Sequence, residues 1–167
     1  MIEVAVTPSM YRAAKQRFEF GALRASITKG GGNLAGALGE LAYIEWLTKQ
    51  GYRVEDTSTY DYDIIVNGFK VDVKTKRINN KPADNYRVAV ASANTTQKCD
   101  FYFFAYCLYN TNKVYLSGYC AKAQYFEKAS FRKQGMADPN GDNPNYKFAA
   151  DCYIMKHISL NKFKTFG

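Results

Sequence analysis

The dipeptide Asn67-Gly68 is the strongest structural signal in this sequence. It lies between two runs that are rich in apolar residues, 60–66 and 69–76, and in that setting it predicts a two-residue β-hairpin turn. A two-residue loop fixes how the flanking strands pair. The predicted pairs are Val66 with Phe69, Ile65 with Lys70, Ile64 with Val71, Asp63 with Asp72, and Asp61 with Lys74.

Alternation along this hairpin separates an apolar face from a charged face. The apolar face carries Ile64, Val66, Phe69, Val71 and Val73. The charged face places the carboxylates of Asp63 and Asp72 on opposed residues, with Lys74 on the same side. Because opposed like charges are destabilising, a compensating group is expected, and Mg²⁺ or Mn²⁺ is the simplest one. The alternative is a solvated face whose negative charge is partly neutralised by Lys70 and Lys74.

Length and charge limit the class of protein. A chain of 167 residues with 47% hydrophobic residues is predicted to form one domain over residues 1–167. Its net charge of +8 favours a polyanionic partner such as nucleic acid, although a merely basic protein is the alternative. Residues 1–25 contain no apolar targeting segment, and the longest apolar run, 101–109, is too short to span a bilayer. We therefore expect no membrane association and a cytoplasmic location.

The cysteine pattern argues against a structural zinc site. The chain has four cysteines and no CxxC pair, and its only histidine is His157. Buried free thiols are expected, with a disulfide as the alternative. The cysteines are Cys99, Cys107, Cys120 and Cys152.

Two helices are predicted before the hairpin. Thr7-Pro8 is a helix start signal, and a basic amphipathic helix is expected over about residues 8–25. Residues 28–33 form a glycine-rich break that carries Lys29, a candidate phosphate contact. A second helix is expected from about residue 33 to 50, ended by Gly51. Its periodicity leaves open whether Glu40 or Glu45 is a buried, paired carboxylate.

The second half of the chain predicts the rest of the sheet. Strands are expected at 86–92, 100–109 and 113–120, giving a sheet of about five strands. A helix is expected over 121–134 and a long surface loop over about 135–147, because that segment is dense in Asn, Asp, Gly and Pro. Residues 148–160 are expected to add a last strand and turn.

Three elements together carry a resemblance to a known family. They are Gly36-Ala37-Leu38-Gly39-Glu40 on a helix, Asp63 at the start of a strand, and Asp72-Val73-Lys74 on the next strand. This arrangement resembles the PD-(D/E)xK nuclease superfamily, the restriction-endonuclease-like fold. The resemblance covers roughly residues 33–76 and assigns the helical glutamate to Glu40. Two departures are Tyr62 in place of the name-giving proline and Asp72 in place of the commoner glutamate.

The resemblance implies a fold and a chemistry. The fold is α/β, a restriction-endonuclease-like core with a mixed sheet of about five strands flanked by helices. The chemistry is Mg²⁺-dependent phosphodiester hydrolysis, with Mn²⁺ possible. Asp63, Asp72, the carbonyl of Val73 and Glu40 would hold the metal, and Lys74 would orient or deprotonate the attacking water or stabilise the phosphate. The residues expected to track the nucleic-acid backbone are Lys29, Lys76, Arg77 and Lys81.

Three function classes follow from these features. The leading one is a metal-dependent DNA endonuclease of viral, homing or junction-resolving type that acts as a homodimer, because one such centre cuts one strand. The second is a nucleic-acid-binding protein on a nuclease scaffold, against which the intact set of acidic residues and Lys74 argues. The third is an RNA nuclease. Cleavage assays on DNA and RNA with and without Mg²⁺ separate the three.

Overall fold

A computed structural model of the chain describes residues 1–21, 33–138 and 144–166. The predicted glycine-rich break with Lys29, and the end of the predicted first helix, lie outside these residues. The strands and helices, in chain order, are β1 Ile2–Ala5, α1 Pro8–Gly21, α2 Asn33–Lys49, β2 Val54–Asp56, β3 Ile64–Val66, β4 Phe69–Ile78, β5 Arg87–Ala91, β6 Phe101–Leu108, β7 Lys113–Ala121, α3 Lys122–Lys128, β8 Ser130–Arg132 and β9 Cys152–Lys156.

The hairpin forms at Asn67-Gly68 as the sequence predicts. Both turn residues have positive φ angles, 49° and 89°, which is the type I′ geometry that an Asn-Gly pair favours. The two strands pair Val66 with Phe69 and Ile64 with Val71. The predicted register is therefore confirmed over the three pairs of the β3–β4 ladder.

Beyond Ile64 the hairpin departs from the prediction. The N–H of Asp63 donates to the carbonyl of Val71, 2.9 Å away, so Asp63 does not extend the regular ladder opposite Asp72. Asp61 does not pair with Lys74 either. Its carboxylate accepts the N–H of Lys98 at 3.1 Å, because residues 59–62 turn away from the sheet.

The main sheet has six strands in the order β1-β7-β6-β4-β3-β2, and a second sheet has three in the order β5-β9-β8. Strands β4 and β6 are parallel and the other pairs are antiparallel, so the predicted mixed α/β architecture is confirmed. The expectation of about five strands was too low. The main sheet has two short edge strands that the prediction did not count, β1 and β2, whereas the predicted strand over 86–92 lies in the second sheet as β5.

Both faces of the main sheet are buried. Alternate residues of β6 enter two separate cores, with Phe103 and Ala105 on one side and Phe104 and Tyr106 on the other. The first core is covered by α1, α2 and the C-terminal segment 163–166, whereas α3, β5 and β9 cover the second. This double covering explains why β6 reads as a near-continuous apolar run.

The alternative of a solvated charged face on the hairpin was wrong, and the predicted apolar core face is confirmed only in part. The charged side is also covered, and Asp72 is only 3% exposed. On the apolar side, Phe69 is 43% exposed, although its ring contacts those of Phe101 and Phe166. The charged side is covered by the second core, which is built mainly from residues 78–160 and which a local period cannot reveal.

The second helix holds the site glutamate against the sheet. Helix α2 begins at Asn33, and Gly51 follows its end with a φ of 87°, as expected of a C-terminal glycine. Gly39 faces β4 at Thr75, where a side chain on Gly39 would overlap the threonine hydroxyl. The absence of a Cβ there lets the helix approach the strand closely. The next residue, Glu40, is therefore held beside β4.

Several smaller predictions are settled by the same structure. Helix α1 begins with Thr7 as its N-cap, because the N–H of Met10 donates to the threonine hydroxyl at 3.1 Å. The predicted helix over 121–134 was too long, since β8 follows α3 and pairs with β9. All four cysteines are buried free thiols, as expected. Within residues 1–21, 33–138 and 144–166, no helix is long and apolar enough to cross a membrane.

Only part of the predicted surface loop over 135–147 is described. Its two ends are joined by a β-bridge between Ala137 and Lys147, and Asp138 is buried. Residues 139–143 lie outside the described part of the chain. The described ends are thus attached to the body of the protein.

Candidate active site

Three carboxylates from separate parts of the chain interact electrostatically where α2 meets the start of β3 and β4. Glu40 comes from α2, Asp63 precedes β3, and Asp72 lies on β4. The negative charges of Glu40 and Asp72 both raise the pKa of Asp63, and that of Asp72 raises the pKa of Glu40. The structure therefore brings together the three acidic residues that the sequence selected.

Asp63 is held by the backbone of the neighbouring strand. Its Oδ2 accepts the N–H of Val73 at 2.7 Å, and its own carbonyl accepts the N–H groups of Thr57 and Ser58. Burial, followed by the charges of Glu40 and Asp72, raises its pKa well above the ordinary value. Asp63 is therefore fixed in position, in surroundings that disfavour its charged form.

Asp72 contacts a cation through one oxygen and an amide through the other. Its Oδ2 lies 2.5 Å from Lys74 Nζ, and its Oδ1 accepts Nε2 of Gln97 at 3.0 Å. The contact with Lys74 is a short ion pair. Burial raises the pKa of Asp72, while Lys74 and Gln97 oppose that shift.

Lys74 points to the same side of β4 as Asp72, as the strand period predicts. Its side chain is 16% exposed, and Nζ donates to Oε1 of Gln97 at 3.1 Å. The ammonium also lies 5.9 Å from the centre of the Tyr102 ring. Lys74 is therefore a half-buried cation held beside the carboxylates.

Glu40 and Glu45 have different environments, which settles the ambiguity left by helical periodicity. Glu45 is partly exposed and pairs with Lys49 one turn later on the same helix. Glu40 is more buried and forms an ion pair with Arg17 of α1. Burial raises the pKa of Glu40, and the guanidinium of Arg17 opposes that rise.

The sequence did not single out three residues around this site, Arg17, Gln97 and Lys122. Arg17 also pairs with Asp56 and donates to the hydroxyl of Ser58 at 3.0 Å, so it ties α1 to the segment before Asp63. Gln97 contacts both Asp72 and Lys74, and Lys122 donates to the carbonyl of Gln97. The contacts of Arg17 with Glu40 and of Gln97 with Asp72 span more than 20 residues of sequence, so no local spacing signals them.

The metal-binding prediction is not tested by the structure. In the described ranges 1–21, 33–138 and 144–166, no three histidine, cysteine or acidic side chains are arranged to hold a metal ion. Arg17 and Lys74 are bound to two of the three carboxylates instead. The site thus carries its own cations, and any metal would bind among groups that already have ionic partners.

The predicted nucleic-acid contacts have varied surroundings. Lys76 is partly buried, pairs with Asp138 at 2.9 Å and lies over the Tyr146 ring. The guanidinium of Arg77 lies 4.8 Å from the centre of the Tyr109 ring. Lys81 is exposed in the segment after β4. Of these three residues, Lys81 is the best placed to meet a phosphate directly.

Comparisons with known proteins give little further information. No family model matches the chain, and no curated protein matches it. A solved structure of a bacterial homing endonuclease is similar to 56% of this chain and 67% of that one, with 20% identity and a TM-score of 0.39. A similarity of this size carries no argument about activity, so the function must be argued from the chemistry of the site.

Proposed function

We propose that this protein is a metal-dependent DNA endonuclease whose active site is formed by Glu40, Asp63, Asp72 and Lys74. The observation that carries the proposal is the meeting of one buried and two partly buried carboxylates, Asp72, Glu40 and Asp63, with one lysine. Burial disfavours a charged carboxylate, and a cluster raises the cost further. A purely structural site gains nothing from placing like charges together. Hydrolysis of a phosphodiester gives a reason for it, because a bound metal ion needs several carboxylate ligands.

The acidic residues have the chemical character that a divalent ion requires. The pKa of Asp63 is raised and, among the described residues, no cation pairs directly with it, so its carboxylate favours an added cation, whereas Asp72 already has Lys74 2.5 Å from Oδ2. Carboxylate oxygens are preferred ligands of Mg²⁺ and Mn²⁺. Asp63, Asp72 and the carbonyl of Val73 would hold the ion, with Glu40 on a second ion or on its water. When bound, the ion supplies charge neutralisation at the phosphate and an activated water.

Lys74 has two roles available to it. As an ammonium it donates hydrogen bonds to a phosphate oxygen and offsets the charge that develops during hydrolysis. As a neutral amine it accepts a proton from the attacking water. Both roles need Nζ next to the reacting phosphate, and the contacts with Asp72 and Gln97 hold it at the acidic site.

The charge of the whole chain supports a nucleic-acid substrate. The net charge of +8 contrasts with the acidic centre, so basic residues around the site would attract phosphates while the carboxylates hold metal. Lys81 and Arg77 are proposed as contacts to neighbouring phosphates. A homodimer is proposed because cutting both strands of a duplex needs two such centres.

The decisive experiment is cleavage of supercoiled plasmid, branched DNA and RNA in EDTA, Mg²⁺ and Mn²⁺. Asp72→Asn and Lys74→Met should each lower metal-dependent DNA cleavage by about 10²–10⁴-fold, because each removes a group that acts in the transition state. The matched controls are Glu45→Gln and Lys49→Met, which change charges of the same types outside the site. The proposal is wrong if Asp72→Asn cuts as well as Glu45→Gln. Cleavage of RNA alone would contradict the DNA assignment.

A further inference from the structure

The side-chain amide of Gln97 contacts two residues of the acidic site, Asp72 and Lys74. It lies in the segment between the short 3₁₀ turn Ser92–Asn94 and β6, and it is 6% exposed. Its Nε2 donates to Oδ1 of Asp72 at 3.0 Å and to the carbonyl of Tyr60 at 2.8 Å. Its Oε1 accepts from Nζ of Lys74 at 3.1 Å. A single side-chain amide therefore joins the acid and the lysine.

Only one orientation of this amide satisfies its neighbours. Both N–H bonds of Nε2 have acceptors, and the carbonyl oxygen faces an ammonium. The flipped amide would place oxygen against the carboxylate of Asp72 and an NH₂ group against Lys74, which are two repulsive contacts. The pattern therefore requires an amide, and neither an acid nor an amine of the same length reproduces it.

The backbone of Gln97 is fixed as well. Its N–H donates to the carbonyl of Asn94 at 3.1 Å, and its carbonyl accepts Nζ of Lys122 at the start of α3. The next residue, Lys98, donates its N–H to the carboxylate of Asp61. The amide is thus presented to the site by a segment that is attached on several sides.

We propose that Gln97 is a positioning residue of the active site, which orients the Asp72 carboxylate and holds the Lys74 ammonium beside it. This inference rests on the proposed nuclease function. Gln97 donates a hydrogen bond to Oδ1 of Asp72, and this leaves Oδ2 facing Nζ of Lys74. By accepting from Lys74, it gives Nζ a second anchor, so that the lysine stays in the site when another cation takes Oδ2.

A purely structural role makes a different prediction. Gln97 also connects two loops through the carbonyl of Tyr60, and the N–H of Lys98 connects the same loops through Asp61. Asp61→Ala removes this second connection without touching Asp72 or Lys74, so it is the matched control. Gln97→Met keeps the length of the side chain and removes all three amide hydrogen bonds.

The test measures kcat and KM for duplex DNA, and separately measures Mn²⁺ affinity by calorimetry without DNA. Gln97→Met should lower kcat and weaken Mn²⁺ binding by about 10–100-fold each, the usual effect of losing a group that orients a ligand, with KM unchanged. Asp61→Ala should leave kcat and Mn²⁺ affinity at the wild-type values. If Gln97→Met does not fold, Gln97→Glu provides the test, because it keeps the acceptor for Lys74 but cannot donate to Asp72, and it should lose kcat likewise.

The outcomes separate this inference from the proposed function. If the wild type cleaves DNA and Gln97→Met behaves like Asp61→Ala in kcat and Mn²⁺ affinity, the inference about Gln97 is wrong and the nuclease proposal stands. If the wild type binds Mn²⁺ without cleaving, the Mn²⁺ affinity of Gln97→Met decides the inference alone. If the wild type neither binds Mn²⁺ nor cleaves, both are wrong.

Discussion

Adding a methyl group at Gly39 should show how tightly helix α2 packs against β4, because the effect of packing on stability opposes the effect of helix propensity there. An added Cβ would overlap the hydroxyl of Thr75 on β4 and lie 3.0 Å from its Cβ. Gly36, one turn earlier on the same helix, has no atom of the described residues outside its own helix within 4 Å of an added Cβ. The variants Gly39→Ala and Gly36→Ala therefore make the same chemical change in a filled and an open environment.

The expected energies have opposite signs. Replacing a helical glycine by alanine gains about 0.5–1 kcal/mol, because the unfolded chain loses freedom. At Gly36 nothing opposes that gain, so the free energy of unfolding should rise. At Gly39 overpacking costs about 1–3 kcal/mol, since a Thr75 rotation replaces the hydroxyl by a methyl group in the same space. The net result at Gly39 should be a loss of about 1–2 kcal/mol.

Urea unfolding and thermal melts in EDTA measure the difference. At about 2–4 °C per kcal/mol for a chain of this size, Gly36→Ala should raise Tm by about 1–4 °C and Gly39→Ala should lower it by about 2–8 °C. Thr75→Ala in the Gly39→Ala background should recover most of the loss, and the double-mutant cycle should be non-additive. Equal stability of the two alanine variants, or an additive cycle, would refute the close approach of α2 to β4.

Three further predictions concern charge and assembly. Asp63→Asn should stabilise the protein in EDTA at pH 8, and the gain should shrink as pH falls toward the ordinary carboxyl pKa. Burial raises the pKa of Asp63, so the contribution of this carboxyl to the free energy of unfolding falls as pH rises. Urea unfolding of the wild type and of Asp63→Asn at several pH values tests this. A stabilisation by Asp63→Asn that grows as pH falls would contradict it. Lys81→Ala should reduce the slope of log affinity for DNA against log salt by about one, measured by fluorescence anisotropy, whereas Lys49→Ala should not change it. Sedimentation velocity should show a dimer with duplex DNA, and a monomer at every concentration would contradict the proposed pairing of two centres.

The hairpin was predictable from sequence because its causes are local. An Asn-Gly turn needs two positive φ values, and the apolar alternation on each side sets the register, so three pairs follow from about 15 residues. The same reasoning failed at Asp61 and Asp63. There the segment 57–63 forms turns of its own, and their hydrogen bonds compete with the ladder.

The burial of the charged side of the hairpin was not predictable in the same way. It depends on Tyr102, Tyr125 and the second sheet, which reach β4 only after the chain has crossed the main sheet. The division of residues 121–134 into α3 and β8 has a similar cause, because the pairing of β8 with β9 overrides helix propensity. Periodicity reports which faces are apolar; the partner that covers each face is set by topology.

The three carboxylates of the site differ in how far neighbouring cations balance their charge. Glu40 shares Arg17 with Asp56, and Asp72 has Lys74, whereas among the described residues Asp63 has the Val73 N–H and the more distant charge of Lys74. Asp63 is thus the least compensated carboxylate of the three, and its pKa is the one raised well above the ordinary value. In a buried site this deficit must be met by a proton or by a cation from outside. Within the part of the chain that the structure describes, Arg17 and Lys74 pair directly with Glu40 and Asp72 but not with Asp63. The demand for another positive charge is therefore greatest at Asp63, one of the residues proposed to hold the metal.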